Sequence, residues 1–168
     1  MYSNAKPTGV LFVCLGNICR SPLAEAVFAH QATQRGVADR FDIDSCGIGS
    51  WHVGDNADHR ARRIAEQFGI PMRHEARQVD PTRDFDRFDL LIPMDRSNAR
   101  ALASLGAPRD RVRMMRSFDP ALADAPEHAL DVPDPYTETL EAFERVLRML
   151  ETASAGLLDH LLRSGPGR

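Results

Sequence analysis

The chain has 168 residues, 43% of them hydrophobic and 27% charged, with a formal net charge of -3. That length suits one domain, residues 1–168, with a full hydrophobic core. The charge offers no basic field for nucleic acid, no apolar run approaches membrane-spanning length, and the polar opening Met1–Thr8 carries no signal-peptide core.

The first predicted strand is Gly9–Cys14, whose Val10–Val13 run is β-branched and aromatic and reads as buried. Ser21 reads as a helix N-cap and Pro22 as the first helical position, so the first helix is expected from Pro22 to Arg35, stopping at Gly36. A second strand is predicted at Phe41–Cys46, where Phe41, Ile43 and Ser45 alternate with Asp42 and Asp44. A helix follows from Asp58 to Phe68, with Ala61, Ile64, Ala65 and Phe68 on one face and Gly69 as its stop. The apolar run Phe88–Met94 reads as a third strand. A helix spans Ser97–Leu105 and ends at Gly106, and Val112–Met114 reads as a short fourth strand. The last helix starts near Thr137 or Glu138, carries the stripe Leu140, Phe143, Val146, Leu147 and Leu150, and is expected to bend near Gly156 and reach Leu162. The tail Ser164–Arg168 is expected to fray. Strands alternating with helices predict a parallel α/β sheet.

Cys14-Leu15-Gly16-Asn17-Ile18-Cys19-Arg20 joins the first strand to the first helix. Such a loop aims backbone N–H groups and the positive end of a helix dipole at one point, which suits a phosphate dianion. The same field favours an ionised thiol, making Cys14 the expected nucleophile. Arg20 is the residue type that grips phosphate oxygens through two parallel hydrogen bonds. Gly16 and Asn17 tolerate a positive φ. A cysteine after a strand is more often a small core residue, and an arginine at a helix start more often faces solvent; the coincidence of all these parts in one loop outweighs both readings.

Open parallel sheets bind ligands beyond the C-terminal ends of their strands. The segment after Cys46 should border the same crevice, and Trp51 in it is expected to form a pocket wall. Cysteines at 14, 19 and 46 make neither a disulfide framework nor a paired zinc pattern, and the six histidines lack ligand spacing. No metal and no cofactor are therefore expected.

Cys14-Leu-Gly-Asn-Ile-Cys-Arg-Ser-Pro22 followed far downstream by Asp134-Pro135-Tyr136 resembles the low-molecular-weight protein-tyrosine phosphatases. The resemblance extends to Trp51-His52-Val53-Gly54, to His74–Gln78 and to Met94-Asp95-Arg96-Ser97-Asn98. It implies a single-domain α/β fold: a four-stranded parallel sheet with helices on both faces and the phosphate loop between strand 1 and helix 1. It implies hydrolysis of phosphotyrosine and aryl phosphates through a cysteinyl-phosphate, with Cys14 as nucleophile and Arg20 and the loop amides from Leu15 to Arg20 holding the phosphoryl group. Asp134 is then the general acid and base; its neighbour Asp131 lacks the Pro-Tyr that follows Asp134. Trp51 and Tyr136 become the pocket walls, and Asn17 is implied to brace the loop through Ser21, Ser45 and His74. The implied partners are phosphotyrosyl proteins, with a tyrosine kinase of the same cell, a host protein or another substrate left open. The polar N-terminus makes a cytoplasmic location the default, with export lacking a signal peptide left open, and a monomer is expected.

The resemblance also implies redox pairing of Cys14 with Cys19, while Cys46 stays open as a competing partner. Two positions depart from many family members: Thr137 stands where a second aromatic residue is common, and Cys46 where a small alanine is common. Two rival functions fare worse. Thioredoxin-linked arsenate reduction needs cysteines beyond the loop, and none follows Cys46. A phosphotyrosine-binding module needs neither a nucleophile nor an acid.

Overall fold

The strand β1, Thr8–Cys14, lies between β2, Phe41–Gly47, and β3, Leu90–Pro93, in a sheet whose strands all run parallel. The computed structural model describes residues 5–165. Among the described residues, five α-helices surround this sheet: α1 (Arg20–Gln34), α2 (His59–Gln67), α3 (Pro81–Arg87), α4 (Arg96–Ser104) and α5 (Leu140–Ser164). Residues 166–168 of the tail expected to fray lie outside the described residues, and Ser164 closes α5.

Side chains of a strand alternate between faces, and β1 divides the core accordingly. Val10 and Phe12 join Leu23, Val27 and Phe28 of α1, Ile64 of α2 and Phe143, Leu147 and Leu150 of α5. Leu11 and Val13 turn the other way, toward Phe85 of α3, Leu91 of β3 and Leu102 of α4. Val10–Val13 have no exposed surface, which is why the segment reads as an unbroken apolar run. Burying each such side chain contributes about 1.5–3 kcal/mol.

The predicted four-stranded sheet is corrected to three strands among the described residues. Val112 makes only an isolated bridge to Leu91, and Arg113 donates its N–H to the Leu91 carbonyl. Turns of 3₁₀ helix at Arg109–Arg111 and Met115–Phe118 close in on both sides and leave no length for a ladder.

The helices α2 and α4 lie within one residue of expectation at each end, and the larger departures are in α1, α3 and α5. Helix α1 starts at Arg20, not Pro22, and Cys19 rather than Ser21 is its N-cap. Helix α3 was missed, although Asp80 caps it by accepting from the N–H of Thr82 and Arg83 and Pro81 occupies its first position, a standard start signal. Helix α5 starts at Leu140 and is one helix to Ser164, without a break at Gly156. A Cβ at Gly156 would overlap the Phe118 carbonyl. This glycine serves close packing of the Met115–Phe118 turn on α5.

β2 and β3 lie on opposite sides of β1, so the chain after Cys14 emerges where the connections diverge, the ligand position of open α/β sheets.

Candidate active site

The loop from Cys14 to Arg20 turns on Asn17, which has φ 57°. It is the one non-glycine residue with positive φ among the described residues, and its strain is held by hydrogen bonds on every side. Its side-chain amide donates to Ser21 Oγ at 2.8 Å and to Ser45 Oγ at 3.0 Å. Its side-chain oxygen accepts from the N–H of Arg77 at 2.9 Å, and its main-chain oxygen lies 2.6 Å from His74 Nε2. The expected loop-bracing residues Ser21, Ser45 and His74 are thus gathered around Asn17.

Cys14 Sγ is almost fully buried at the base of this loop. The N–H of Asn17 donates to it at 3.3 Å, and Ser21 Oγ lies 2.9 Å away. Ser21, in the first turn of α1, is a partner of the thiol rather than a cap. Among the described residues, the N–H groups of Leu15, Gly16, Ile18 and Cys19 donate to no protein acceptor. The Arg20 N–H at the first position of α1 is one of the four free donors of any helix start. These amides and the α1 dipole converge on one anion site.

Arg20 is 3% exposed. Its Nη1 donates to Asp95 Oδ2 at 2.6 Å and to the Val132 carbonyl at 2.9 Å, and its Nη2 lies 3.6 Å from Asp134 Oδ2. Burial opposes its charge, but Cys14, Asp95 and Asp134 outweigh that cost and hold its pKa above the ordinary guanidinium value. Asp95 was not foreseen. It is the N-cap of α4, accepting from the Asn98 N–H at 2.8 Å through its other oxygen. One carboxylate therefore starts a helix and orients the arginine.

Beside the loop is a cavity of about 130 Å³ lined by Leu15, Gly16, Ile18, Cys19, Arg20, Trp51, His52, Asp134 and Tyr136. Trp51 is 72% and Tyr136 49% exposed, so two aromatic rings stand open at its mouth. His52 also lines it, unforeseen. Its ring edge rests on Gly16, where a Cβ would come within 3.1 Å of it, and its Nδ1 pairs with Asp55 at 3.1 Å. Asp134 is exposed toward the cavity and accepts the Tyr136 N–H at 3.1 Å. Asp131 instead pairs with Arg96 and accepts its N–H, and is not among the lining residues.

Behind the loop, Ser45 Oγ donates to Glu25 Oε2 at 2.6 Å, and His74 Nδ1 lies 3.9 Å from the same carboxyl. Burial, with Asp44 nearby, pushes the Glu25 carboxyl up to about 7 against the pull of Ser45 and Arg77. Burial likewise pushes His74 down. Both neutral forms are favoured in this pocket. Burial, reinforced by Asp58, Cys14 and Asp134, drives the Cys19 thiol far above its usual range. Cys46 is fully buried in the core on the opposite face of the sheet from Cys14 and Cys19.

Residues 9–166 match the family model for low molecular weight phosphotyrosine protein phosphatase. The chain is 46% identical over 164 residues to "Low molecular weight protein-tyrosine phosphatase A" of Mycobacterium tuberculosis, covering 95% of this chain and 98% of the relative. It is 37% identical over 154 residues to the human low molecular weight phosphotyrosine protein phosphatase, covering 89% and 93%. A solved protein tyrosine phosphatase of Entamoeba histolytica superposes with a TM-score of 0.85 at 33% identity, covering 94% of this chain and 98% of that one. A Drosophila arginine phosphatase superposes with a TM-score of 0.77 at 30% identity, covering 90% and 96%. On the extent of these matches, the chain belongs to the low molecular weight phosphotyrosine protein phosphatase family.

Proposed function

We propose that this chain, working as one catalytic domain, hydrolyses phosphotyrosine in proteins and aryl phosphate monoesters. The observation that carries the reading is the placement of Cys14 Sγ under a ring of uncommitted loop amides, with Arg20 and Asp134 at the adjoining cavity.

The Cys14 thiolate attacks phosphorus in line, and the bond from phosphorus to the phenolic oxygen breaks. The loop amides and Arg20 take up charge on the three equatorial oxygens. Asp134 gives its proton to the departing phenolate, then takes one from the water that cleaves the phosphorus–sulfur bond and frees phosphate. The Ser21 hydroxyl accepts from Asn17, and its proton has two acceptors within reach, the Cys46 carbonyl at 3.4 Å and Cys14 Sγ at 2.9 Å; turned to the sulfur, it stabilises the thiolate before attack and after release.

Specificity follows from the cavity. Leu15, Ile18, Trp51 and Tyr136 offer apolar surface to a phenyl ring, and a short phosphoserine would not span the slot to Cys14. A phosphoarginine guanidinium would ask for a carboxylate of its own. Asp134 is the one carboxylate in the lining, and it faces Arg20. The aryl ester is therefore the better fit.

The test is turnover of an aryl phosphate in excess EDTA, with phosphotyrosyl, phosphoseryl and phosphoarginyl peptides compared. Activity persists in EDTA, the phosphotyrosyl peptide leads, and Cys14→Ser abolishes turnover while still binding phosphate. Wild-type turnover by Cys14→Ser overturns the nucleophile. A lead for phosphoarginine overturns the substrate class.

A further inference from the structure

We propose that Arg60 is a positioning residue of this reaction, strapping the segment that carries Asp134 and Tyr136 to the phosphate loop. The inference rests on the reading of Asp134 as general acid. Asp58 is the N-cap of α2 and accepts from the Arg60 N–H at 2.9 Å. The Asp58 carboxylate also receives Arg60 Nε at 3.0 Å and Nη2 at 2.9 Å, so the guanidinium is clamped by two hydrogen bonds on its own helix start. The outer face of the same guanidinium reaches across the fold. Nη2 donates to the Tyr136 carbonyl and Nη1 to the Glu138 carbonyl, each at 2.7 Å. Its carbon lies 4.6 Å from the Phe143 ring centroid, which fixes its plane against α5.

The other end of the strap is the phosphate loop. The Asp58 N–H donates to the Ile18 carbonyl at 2.8 Å. A path of hydrogen bonds therefore runs from Ile18 through Asp58 and Arg60 to the main chain on either side of Thr137. Among the described residues, the hydrogen bonds that reach residues 134–138 from elsewhere in the chain all come from Arg60. Within the segment, the Glu138 N–H closes a turn on Pro135 and the Tyr136 N–H caps Asp134. These local bonds shape the turn but do not place it over the cavity. The Arg20–Asp134 pair, at 3.6 Å, is longer than a hydrogen bond. An acid displaced by about 1 Å from its leaving group loses about 10²-fold in rate. A planar fork with several fixed donors suits this task, and a lysine, with a single point of charge, does not reproduce it.

The experiment measures kcat and KM for Arg60→Ala, Arg60→Lys, Asp134→Asn and Arg60→Ala/Asp134→Asn on aryl phosphates graded by leaving-group acidity. Competitive inhibition by inorganic phosphate and thermal melting are read alongside. Arg60→Ala is expected to lose about 10–10²-fold in kcat on the poorest leaving groups and little on the most activated, within the range of general acid catalysis. Phosphate inhibition stays near wild type, Arg60→Lys falls between, and the double variant loses no more than Asp134→Asn. If Arg60→Ala does not fold, Arg60→Lys keeps its stem beside Phe143 and carries the same test. Equal losses across the series with weakened phosphate inhibition, or no loss, overturn the strap while a steep Asp134→Asn series leaves the acid standing. A flat Asp134→Asn series overturns the acid assignment and the strap with it.

Discussion

Arg20 Nη1 and Asp95 Oδ2 lie 2.6 Å apart, and the same carboxylate caps α4 through Asn98. The arginine that faces the anion site is thus fixed by a helix start contributed from across the sheet. A buried guanidinium needs such a partner, because desolvation opposes its charge.

Arg20→Lys is therefore expected to be nearly as damaging as Arg20→Ala, each lowering kcat by about 10²–10³-fold, the cost of removing a main donor to the transition state. Asp95→Asn keeps a capping oxygen but loses the charge, and should lower kcat/KM by about 10-fold, the worth of a hydrogen bond between charged groups. Steady-state kinetics check both. A lysine variant with near-native kcat would show that a point charge suffices.

Asp134→Asn should lower kcat by about 10²–10⁴-fold for poor leaving groups and much less for activated ones, which leave without a proton. A leaving-group series reads this directly. Equal losses throughout would remove Asp134 from the acid role.

Trp51 and Tyr136 stand open at the cavity mouth. Replacing either by alanine should raise KM for phosphotyrosyl peptides by about 2–10-fold, the range of one aromatic contact, and narrow their lead over phosphoserine. Unchanged discrimination in both variants would show that the rings do not select the substrate.

Glu25 gives the stability a pH dependence of definite sign. Its carboxyl titrates at about 7 in the fold against 4.5 as the ordinary value. Between those values the native state holds a proton that the unfolded chain has lost, so stability falls as pH rises from 4.5 through about 7. Asp44, His74 and Arg77 share its surroundings and keep the group coupled to the loop brace. Glu25→Gln should flatten that part of the curve of denaturation midpoint against pH. A curve that keeps its wild-type slope would assign the titration to another group.

Cys19 lines the cavity beside the loop that holds Cys14, while Cys46 belongs to the core on the other side of the sheet. Peroxide is expected to convert the Cys14 thiolate to a sulfenic acid, and the Cys19 thiol is the expected partner to condense with it, giving a disulfide and water. Dithiothreitol should restore the oxidised wild type, whereas Cys19→Ser should recover poorly and accumulate sulfinic acid on Cys14. Full recovery of Cys19→Ser, or a mapped Cys14–Cys46 bond, would exclude Cys19 as the resolving thiol.

By itself the sequence determined the features whose parts are contiguous: the apolar run of β1, the loop from Cys14 to Arg20, and the alternation of strands and helices. Each is set by neighbours along the chain, so its chemistry and geometry are local. Asp134 and Tyr136 were legible only as a pattern paired with that loop, since an aspartate before a proline is otherwise an ordinary turn residue. The tertiary structure alone decided the rest. It reduced Val112–Met114 from a strand to a single bridge, because flanking turns left it no length. It turned Ser21 from a presumed cap into a partner of the thiol. It also brought Glu25, His52, Arg60 and Asp95 to the loop and the cavity. Read locally, each of these polar side chains is part of a solvated face. Their partners lie on other elements, and the electrostatics and hydrogen bonds that give them a role exist only after the core has packed and excluded water around them.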